Sequence, residues 1–457
     1  MTADPSIYRE YDIRGIAGVD YDEAFVEALG RAYGTKLIRE NITRVAVGRD
    51  CRVTGPAYHK IMKAAIRSTG VSVVDIGECP TPLMYFSVHH LDLMGGIQVT
   101  GSHNPPDHNG FKICIGKSTI HGEGIQDLKQ IVDSGDMARG DGAEEVYPII
   151  PAYQGYLEEQ FGRCGVGVKV VVDSGNGTGG PVGPGVYRAM GCEVIELYSE
   201  PDGTFPNHHP DPTVEENMAD LIKAVAEHGA DLGIAFDGDS DRIGAVDNTG
   251  RIIWGDEMLV IFARDILSRS PGATIVSEVK CSQRLFDDIE KNGGNGIMWK
   301  VGHSLLKAKM RETGALLGGE MSGHLFFADR YFGYDDAVYA GGRLIEIIAR
   351  TGESLEDMLS DLPVTVYTPE IRLDCADGIK FQVAERARDR FRDLGYEIVD
   401  VDGVRVKFDD GWGLIRASNT QPVLVTRFEA TNTDSLEKNR ETVETELDSI
   451  KQELGAV

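Results

Sequence analysis

Three aspartates at alternate positions, Asp237, Asp239 and Asp241, form a compact group of possible metal ligands. Carboxylates spaced in this way can converge on one hard cation such as Mg²⁺. An EF-hand is excluded, because that loop needs glycine where Arg242 stands and glutamate where Asn248 stands. Arg242 itself suits phosphate oxygens, since a guanidinium offers several donors in one plane.

Three interpretations of this acidic loop stay open at the level of its own residues. The carboxylates hold Mg²⁺, with the open metal position taken by a phosphate oxygen. Alternatively, Asp237 is the nucleophile of a phosphatase and Asp239 is its acid, or the loop is a solvated turn without a metal. The adjacent Arg242 favours the two interpretations that involve phosphate.

Ser102 lies in the segment TGSHNPP, where glycine, asparagine and two prolines predict a rigid turn. The G-x-S-x-G elbow of acyl hydrolases is absent, because Thr100 and Asn104 take the glycine positions. As a nucleophile, Ser102 therefore suits a phosphoryl group better than an acyl group. Lys112 would neutralise phosphate charge or move a proton. An ordinary turn and a surface lysine stay open as alternatives.

Two further loops carry groups that suit sugar hydroxyls and phosphate. Glu320, Ser322 and His324 lie between glycines, and a carboxylate and a hydroxyl on such a turn can hydrogen-bond neighbouring hydroxyls of a sugar. Near the end of the chain, arginine, hydroxyls and backbone amides form a possible oxyanion cradle, and a second arginine on the next strand could complete a bidentate clamp. The residues of this last loop are Arg416, Ser418, Asn419, Thr420 and Arg427.

Composition restricts the possible partners and the compartment. The net charge of −27 argues against nucleic acid, because binding a phosphate backbone needs a basic surface. No run of 18 apolar residues occurs, and the polar, acidic N-terminal segment predicts no secretory signal. Seven scattered cysteines without a C-x-x-C pair predict neither disulfides nor a zinc site, and they favour a cytoplasmic protein. The sequence does not indicate an oligomeric state.

The elements that must position these loops form a weak threefold repeat of α/β units. Strands are predicted at 45–47, 71–76 and 96–99, then at 168–172, 192–198 and 232–236, and then at 274–279 and 315–317. Helices are predicted at 56–69, 184–190, 214–227, 282–292 and 302–312, and the tail adds helices at 378–394 and 436–454. In each round the unusual loop follows the last strand, so that the three loops face one cleft.

The fold class predicted is α/β, with three similar mixed α/β domains and a smaller C-terminal α+β domain around a central cleft. Linker signals at 147–151, 254–255 and 363–369 divide the chain. The predicted domains are 1–152 with the serine loop, 153–254 with the acidic loop, 255–367 with the Glu320 loop and 368–457 with the arginine loop.

Taken in order, the four loops resemble the motifs of the α-D-phosphohexomutase family. Further matching segments are 11–15 (YDIRG), 48–50 (GRD), Lys280 and 301–303 (VGH). The resemblance implies that Ser102 is the phosphoserine, that the aspartates hold Mg²⁺, that 320–324 binds the sugar and that 416–420 binds phosphate. It also implies four domains around a central cleft.

Within that family, the segment GEMSGH is similar to the bacterial phosphomannomutase/phosphoglucomutase branch, whereas phosphoglucosamine mutases usually have glutamine at Met321. The resemblance implies an isomerase that moves a phosphoryl group between C1 and C6 of mannose or glucose phosphate. Glucose or mannose 1,6-bisphosphate would be the intermediate and activator. A phosphoglucosamine mutase, the phosphatase with Asp237 as nucleophile and a non-catalytic phosphosugar-binding protein stay open as alternatives.

The resemblance also divides the candidate residues into three groups. The catalytic group comprises Ser102, His103, Lys112, Arg14, Arg242 and His303. The substrate-binding group comprises Tyr11, Lys280, Glu320, Ser322, His324, Arg416, Ser418, Asn419, Thr420 and Arg427. The metal group comprises Ser102, Asp237, Asp239 and Asp241.

Overall fold

The computed structural model describes residues 3–455, in which four β-sheets follow one another along the chain. The first three sheets share one pattern. In each of them, the first parallel strand in chain order lies between the second and the third. The next strand in the chain runs antiparallel beside the third. Parallel strands that are covered on both faces read as continuous apolar runs, and such runs are the basis on which the sequence predicts them.

The first sheet has seven strands. They are β1 (Ile13–Ile16), β2 (Arg44–Arg49), β3 (Ser72–Glu78), β4 (Gly95–Val99), β5 (His108–Ile115), β6 (Ser118–Thr119) and β7 (Glu144–Val146). Its helices are α1 (Glu23–Arg39), α2 (Gly55–Arg67), α3 (Thr81–His90) and α4 (Glu123–Ser134). The strand order is β1-β5-β4-β2-β3-β7, with β6 paired to β5. The Ser102 loop joins β4 to the antiparallel β5.

The second sheet has five strands, β8 (Lys169–Asp173), β9 (Glu193–Leu197), β10 (Leu232–Phe236), β11 (Ile243–Asp247) and β12 (Ile252–Ile253). Their order in the sheet is β12-β11-β10-β8-β9. Its helices are α5 (Ile149–Phe161), α6 (Gly183–Ala189) and α7 (Ala219–His228). The aspartate loop joins β10 to the antiparallel β11.

The third sheet has four strands, β13 (Thr274–Glu278), β14 (Asn295–Trp299), β15 (Leu317–Gly319) and β16 (Leu325–Phe327). Their order in the sheet is β14-β13-β15-β16. The helices of this part of the chain are α8 (Gly255–Arg269), α9 (Gln283–Lys291), α10 (His303–Thr313), α11 (Ala337–Thr351) and α12 (Leu355–Leu359). The Glu320 loop joins β15 to the antiparallel β16.

The fourth sheet is antiparallel throughout. Its strands are β17 (Val366–Tyr367), β18 (Ile371–Asp374), β19 (Ile398–Val399), β20 (Val404–Phe408), β21 (Gly411–Ala417) and β22 (Val423–Ala430), and its helices are α13 (Lys380–Asp393) and α14 (Thr433–Glu453). Both helices pack on β21. Arg405 joins this sheet to the third, since its Nη1 donates to the carbonyls of Val279 and Cys281, each at 2.8 Å.

One large apolar core joins the first three sheets, because α3, α5 and α11 lie between them. Helix α11 follows the third sheet in the chain but packs against β10 and β11 of the second. Likewise, β17 lies within the predicted linker 363–369 and pairs with β22. Because both elements pack across the predicted divisions, the predicted domain boundaries stay predictions. Within residues 3–455, no helix combines the length and the apolarity needed to cross a bilayer.

The predicted fold class is confirmed, with differences in particular elements. The strand predicted at 315–317 lies at Leu317–Gly319, and the strand β14, in which only the last three residues are apolar, was missed. The antiparallel fourth strand of each round was also missed. The helix predicted at 214–227 begins as a 3₁₀ turn, Glu215–Met218, before α7.

Candidate active site

Ser102 lies in the loop after β4 in a left-handed conformation, with φ of +49°. A residue other than glycine adopts this conformation when its surroundings hold it there. The fully buried Arg52 supplies that support, because its Nη2 donates to the carbonyls of Ser102 and Asn104 at 2.8 and 2.5 Å. Asp50 pairs with Arg52 at 3.2 Å and accepts from the Gly101 amide at 3.0 Å. Arg52 was not predicted as part of the site.

The aspartate loop faces this serine directly. The Ser102 hydroxyl donates to Oδ2 of Asp237 at 2.8 Å, while Oδ1 of Asp237 accepts from the amides of Asp241 and Arg242, each at 3.1 Å. Carboxylate oxygens of Asp237, Asp239 and Asp241 lie within 4.8 Å of one another, and all three residues are buried. The alternate spacing therefore produces the convergence that the sequence predicted.

Lys112 enters the same cluster from β5. Its Nζ donates to Oδ2 of Asp239 at 2.8 Å and to Oδ2 of Asp241. The hydroxyls of Thr81 and Thr100 also donate to Oδ2 of Asp239, at 2.5 and 2.9 Å. Oδ1 of Asp239 and Oδ1 of Asp241 are buried without a hydrogen-bond partner among the described residues. Such unpartnered carboxylate oxygens fit a hard divalent cation.

The electrostatics of this cluster depend on burial and on the single lysine. Burial, reinforced by the two neighbouring aspartates, raises the pKa of Asp237 well above its usual range. Burial acts in the same direction on Asp239. The charge of Lys112 and the hydrogen bonds that Asp239 accepts outweigh burial and lower the pKa of that carboxyl. Burial, with Arg242 nearby, lowers the pKa of His103 well below its usual range. A neutral His103 therefore lies with Nδ1 at 3.1 Å from the Ser102 hydroxyl.

A chain of contacts ties Arg242 to the third sheet. Nε of Arg242 donates to Nε2 of His324 at 2.9 Å, and Nδ1 of His324 lies 2.9 Å from Oδ2 of Asp335. Oδ1 of Asp335 accepts from Nζ of Lys307 at 2.9 Å, and His303 stacks on His324 with ring centroids 5.4 Å apart. Lys307 was not predicted as a site residue, because nothing in the local sequence connects it to the metal loop.

Glu320 and Tyr11 make the polar contacts between the loops of the first, third and fourth sheets. Oε1 of Glu320 accepts from the Gly302 amide at 2.7 Å, and Oε2 accepts from the Ser322 hydroxyl at 3.0 Å. The Tyr11 hydroxyl donates to the carbonyl of Val301 at 2.6 Å. It also accepts from Nδ2 of Asn419 at 2.5 Å. Loops from the first, third and fourth sheets thus meet at one place.

The two arginines of the last loop lie on one face of the fourth sheet. Arg416 pairs in register with Val425, two positions before Arg427, so the two side chains are diagonal neighbours. Nε of Arg416 donates to Oδ2 of Asp402 at 3.0 Å, whereas Arg427 donates to the carbonyl of Lys280. Each arginine therefore has its own protein partner, and the bidentate clamp stays a prediction.

The other candidate residues divide into those that reach the centre and those that support a loop. Nη1 of Arg14, on β1, donates to Oδ1 of Asn104 at 3.0 Å and so reaches the serine loop. The Ser418 hydroxyl accepts from the amides of Thr420 and Gln421, at 3.3 and 3.1 Å, and shapes its own turn. Thr420 is exposed.

These features define a class of α/β protein in which a buried serine faces a triple-aspartate site, with the separate Glu320 and arginine loops nearby. Comparison with known proteins agrees. Family models of phosphoglucomutase/phosphomannomutase match along the chain: alpha/beta/alpha domain I at residues 5–139, domain II at 156–250, domain III at 254–366 and the C-terminal domain at 370–446.

Individual relatives match over almost their whole length. A phosphomannomutase/phosphoglucomutase of Pseudomonas aeruginosa is 45% identical, covering 99% of this chain and 98% of the relative. A phosphoglucomutase of Neisseria gonorrhoeae is 42% identical, covering 94% of each. The crystal structure of a phosphoglucomutase/phosphomannomutase family protein from Burkholderia thailandensis superimposes with a TM-score of 0.93, at 41% identity and with 98% of each chain covered. The chain belongs to the phosphoglucomutase/phosphomannomutase family, as the resemblance predicted.

Proposed function

We propose that the protein moves a phosphoryl group reversibly between C1 and C6 of a hexose phosphate, through phosphorylated Ser102 and a 1,6-bisphosphate. The observation that carries this proposal is the Ser102 hydroxyl at 2.8 Å from Asp237, beside carboxylate oxygens without partners. The substrates proposed are mannose and glucose phosphates, which the names of relatives from two Pseudomonas species, both 45% identical to this chain, support.

Mg²⁺ is the proposed cofactor, because three converging carboxylates form a hard oxygen donor set. Asp237, Asp239 and Asp241 would hold it together with an oxygen of phosphorylated Ser102. When bound, the ion would offset the negative charge of the phosphoryl oxygens. Lys112 supplies a fixed positive charge to the same cluster. Its Nζ contacts Oδ2 of Asp239 and of Asp241, whereas the oxygens without partners are the Oδ1 atoms.

The transfer itself breaks the bond between Ser102 Oγ and phosphorus and forms a bond from phosphorus to the free sugar hydroxyl. The proton of that hydroxyl must leave and Ser102 Oγ must gain one as its hydroxyl re-forms; His303, which burial keeps neutral by lowering its pKa, is the proposed acceptor. Arg14 and Arg242 would stabilise the transferring charge. The second half of the reaction returns the other phosphate of the bisphosphate to Ser102.

We assign recognition of the two ends of the sugar phosphate to the Glu320 loop and the arginine loop. Glu320 and Ser322 would bind hydroxyls, while Arg416, Ser418 and the backbone amides that follow would bind the phosphate that is not transferred. Glucose and mannose differ only at C2, so a pair of groups that binds hydroxyls away from C2 would accept both.

Phosphorus NMR tests the proposal with glucose, mannose and glucosamine 1-phosphates, each primed with a 1,6-bisphosphate. We expect the glucose and mannose compounds to become 6-phosphates, and intact-mass analysis to place one phosphoryl group on Ser102. Ser102→Ala should abolish both signals, whereas Ser118→Ala should retain them. Conversion of the amino sugar alone would favour a phosphoglucosamine mutase, release of inorganic phosphate would favour the phosphatase, and no conversion would favour a binding protein.

A further inference from the structure

A cavity of about 400 Å³ lies between the first and third sheets. Helix α3 and the β5–β6 hairpin form one wall, and α10 and the segment 328–334 form the other. Its volume is within the range of sites that bind small organic molecules, about 300–1,000 Å³. Lys307, which contacts Asp335, lines the cavity, but none of the candidate catalytic, metal or sugar-binding residues does. The cavity is therefore separate from the proposed reaction centre.

One wall of the cavity is a stack of nearly parallel rings. His89 stacks on Phe332 with centroids 4.5 Å apart, and Phe332 is parallel to Tyr334 within 9°. Phe332 is 38% exposed, although phenylalanine is among the side chains most often buried in folded proteins. A flat apolar ring entering the cavity would pack against this aromatic wall.

Three cationic side chains also line the cavity, although the whole chain has a net charge of −27. Lys307 is neutralised by Asp335 at 2.9 Å, and Lys117 pairs with the exposed Asp92 at 3.1 Å. Arg311 differs, because its side-chain hydrogen bond goes to the carbonyl of Lys117 at 3.4 Å, and no carboxylate in residues 3–455 forms a salt bridge with it. A guanidinium without a carboxylate partner is a binding group for an anion, above all for phosphate.

We propose that this cavity binds an aromatic phosphate of the size of a nucleoside monophosphate. The ring of the ligand packs against Phe332 and Tyr334, and its phosphate pairs with Arg311 and Lys117.

Isothermal titration of the whole chain with the four common nucleoside monophosphates tests this proposal. We expect at least one of them to bind with a Kd below about 1 mM. The matching nucleoside and inorganic phosphate should each bind about tenfold more weakly or not at all. Failure of all four to bind would overturn the proposal, and so would inorganic phosphate that binds as tightly as the nucleotide.

Variants locate the binding to the cavity. Arg311→Gln and Phe332→Ala should each weaken nucleotide binding about tenfold or more, whereas Arg386→Gln, an exposed arginine on α13, should not. Arg416→Gln should leave it unchanged, because that arginine belongs to the proposed sugar-phosphate site. Binding that is lost in Arg416→Gln and retained in Arg311→Gln would overturn the proposal. Arg311→Gln decides alone if Phe332→Ala does not fold.

Discussion

Glu278 and Lys280 form a buried charged group at the end of β13. Nζ of Lys280 lies 3.4 Å from Oε1 of Glu278 and 2.6 Å from Oε1 of Glu370. Burial raises the pKa of Glu278 to about 8, although Lys280 opposes this, and Oε2 of Glu278 has no hydrogen-bond partner among the described residues. Lys280 lowers the pKa of Glu370 to about 2. Burial favours a neutral Lys280, but Glu278 and Glu370 outweigh it and raise the pKa of the lysine.

The raised pKa of Glu278 predicts a pH dependence of stability. Between its ordinary pKa of 4.5 and about 8, the folded chain binds a proton at Glu278 that the unfolded chain has released. Stability therefore falls as pH rises through this window, by at most about 1.4 kcal/mol per pH unit. Glu278→Gln removes this titration, so the melting temperature of the wild-type chain should fall relative to the variant between about pH 5 and 8. Parallel curves for the two proteins would contradict the assignment.

The unpartnered oxygen of Asp241 predicts how its removal affects metal binding. Asp241→Asn removes one negative charge from the donor set, so affinity for Mn²⁺, a spectroscopic substitute for Mg²⁺, should fall about tenfold or more. Electron paramagnetic resonance of free Mn²⁺ measures this without reference to activity. Asp202→Asn, which alters an exposed turn, is the control and should bind the ion like the wild type. Equal affinity of the Asp241 variant would place the ion elsewhere.

At the scale of elements, the hairpin between the third parallel strand and the antiparallel fourth strand is the repeated unit that carries chemistry. The Ser102 loop follows β4 and the aspartate loop follows β10, and the two loops touch at Gly238. A Cβ on Gly238 would lie 2.5 Å from the carbonyl oxygen of Ser102. Glycine at this position is therefore required for the serine and the aspartates to approach each other.

Gly238→Ala should separate the two loops, because the clash is with backbone, which moves less easily than a side chain. We expect turnover to fall at least about tenfold, which corresponds to a loss of about 1.4 kcal/mol of transition-state stabilisation. Steady-state kinetics measure it. Gly155→Ala is the matched control, since a Cβ added there in α5 would meet no atom within 4 Å, and it should stabilise the helix by about 0.5–1 kcal/mol. Normal turnover in Gly238→Ala would show that the loops need not touch.

At the scale of the whole molecule, Tyr11 joins three parts of the chain. Its hydroxyl contacts the carbonyl of Val301 beside the third sheet and Nδ2 of Asn419 in the fourth, while its backbone lies just before β1. Arg405 forms a second, buried connection between the third and fourth sheets. The relative position of the last unit thus rests partly on a few polar contacts.

Tyr11→Phe removes both hydroxyl contacts while keeping the ring. At about 1 kcal/mol for each neutral hydrogen bond, the arrangement of the fourth unit should be weakened by about 1–2 kcal/mol. Hydrogen exchange should therefore become faster at the contact segments of this unit, around Asn419, and the radius of gyration from small-angle scattering should not decrease. Tyr198→Phe, which removes a hydroxyl contact to Asp220 within the second unit, should leave that exchange unchanged. Unchanged exchange in Tyr11→Phe would show that other contacts suffice.

The local pattern of the sequence was enough for much of the fold. Continuous apolar runs predicted β10 at Leu232–Phe236, and amphipathic periodicity predicted α9, α10 and α13 to within two residues. The strand β14 and the antiparallel fourth strands were missed, because β11, β14 and β16 have only three to five residues and the longer β5 begins with the polar His108 and Asn109 and a glycine. Their pairing partners, which lie elsewhere in the chain, determine that they are strands.

The sequence by itself determined which residue types could do chemistry, since the aspartate spacing and the order of the four loops are local properties of the chain. Only the tertiary structure decided which of them meet. Lys112 reaches Asp239 across 127 positions of sequence, and Arg52 supports the serine loop across 50. Asp335 is connected to Asp241 through His324. Such contacts depend on how separate sheets pack, and no short-range pattern encodes that packing.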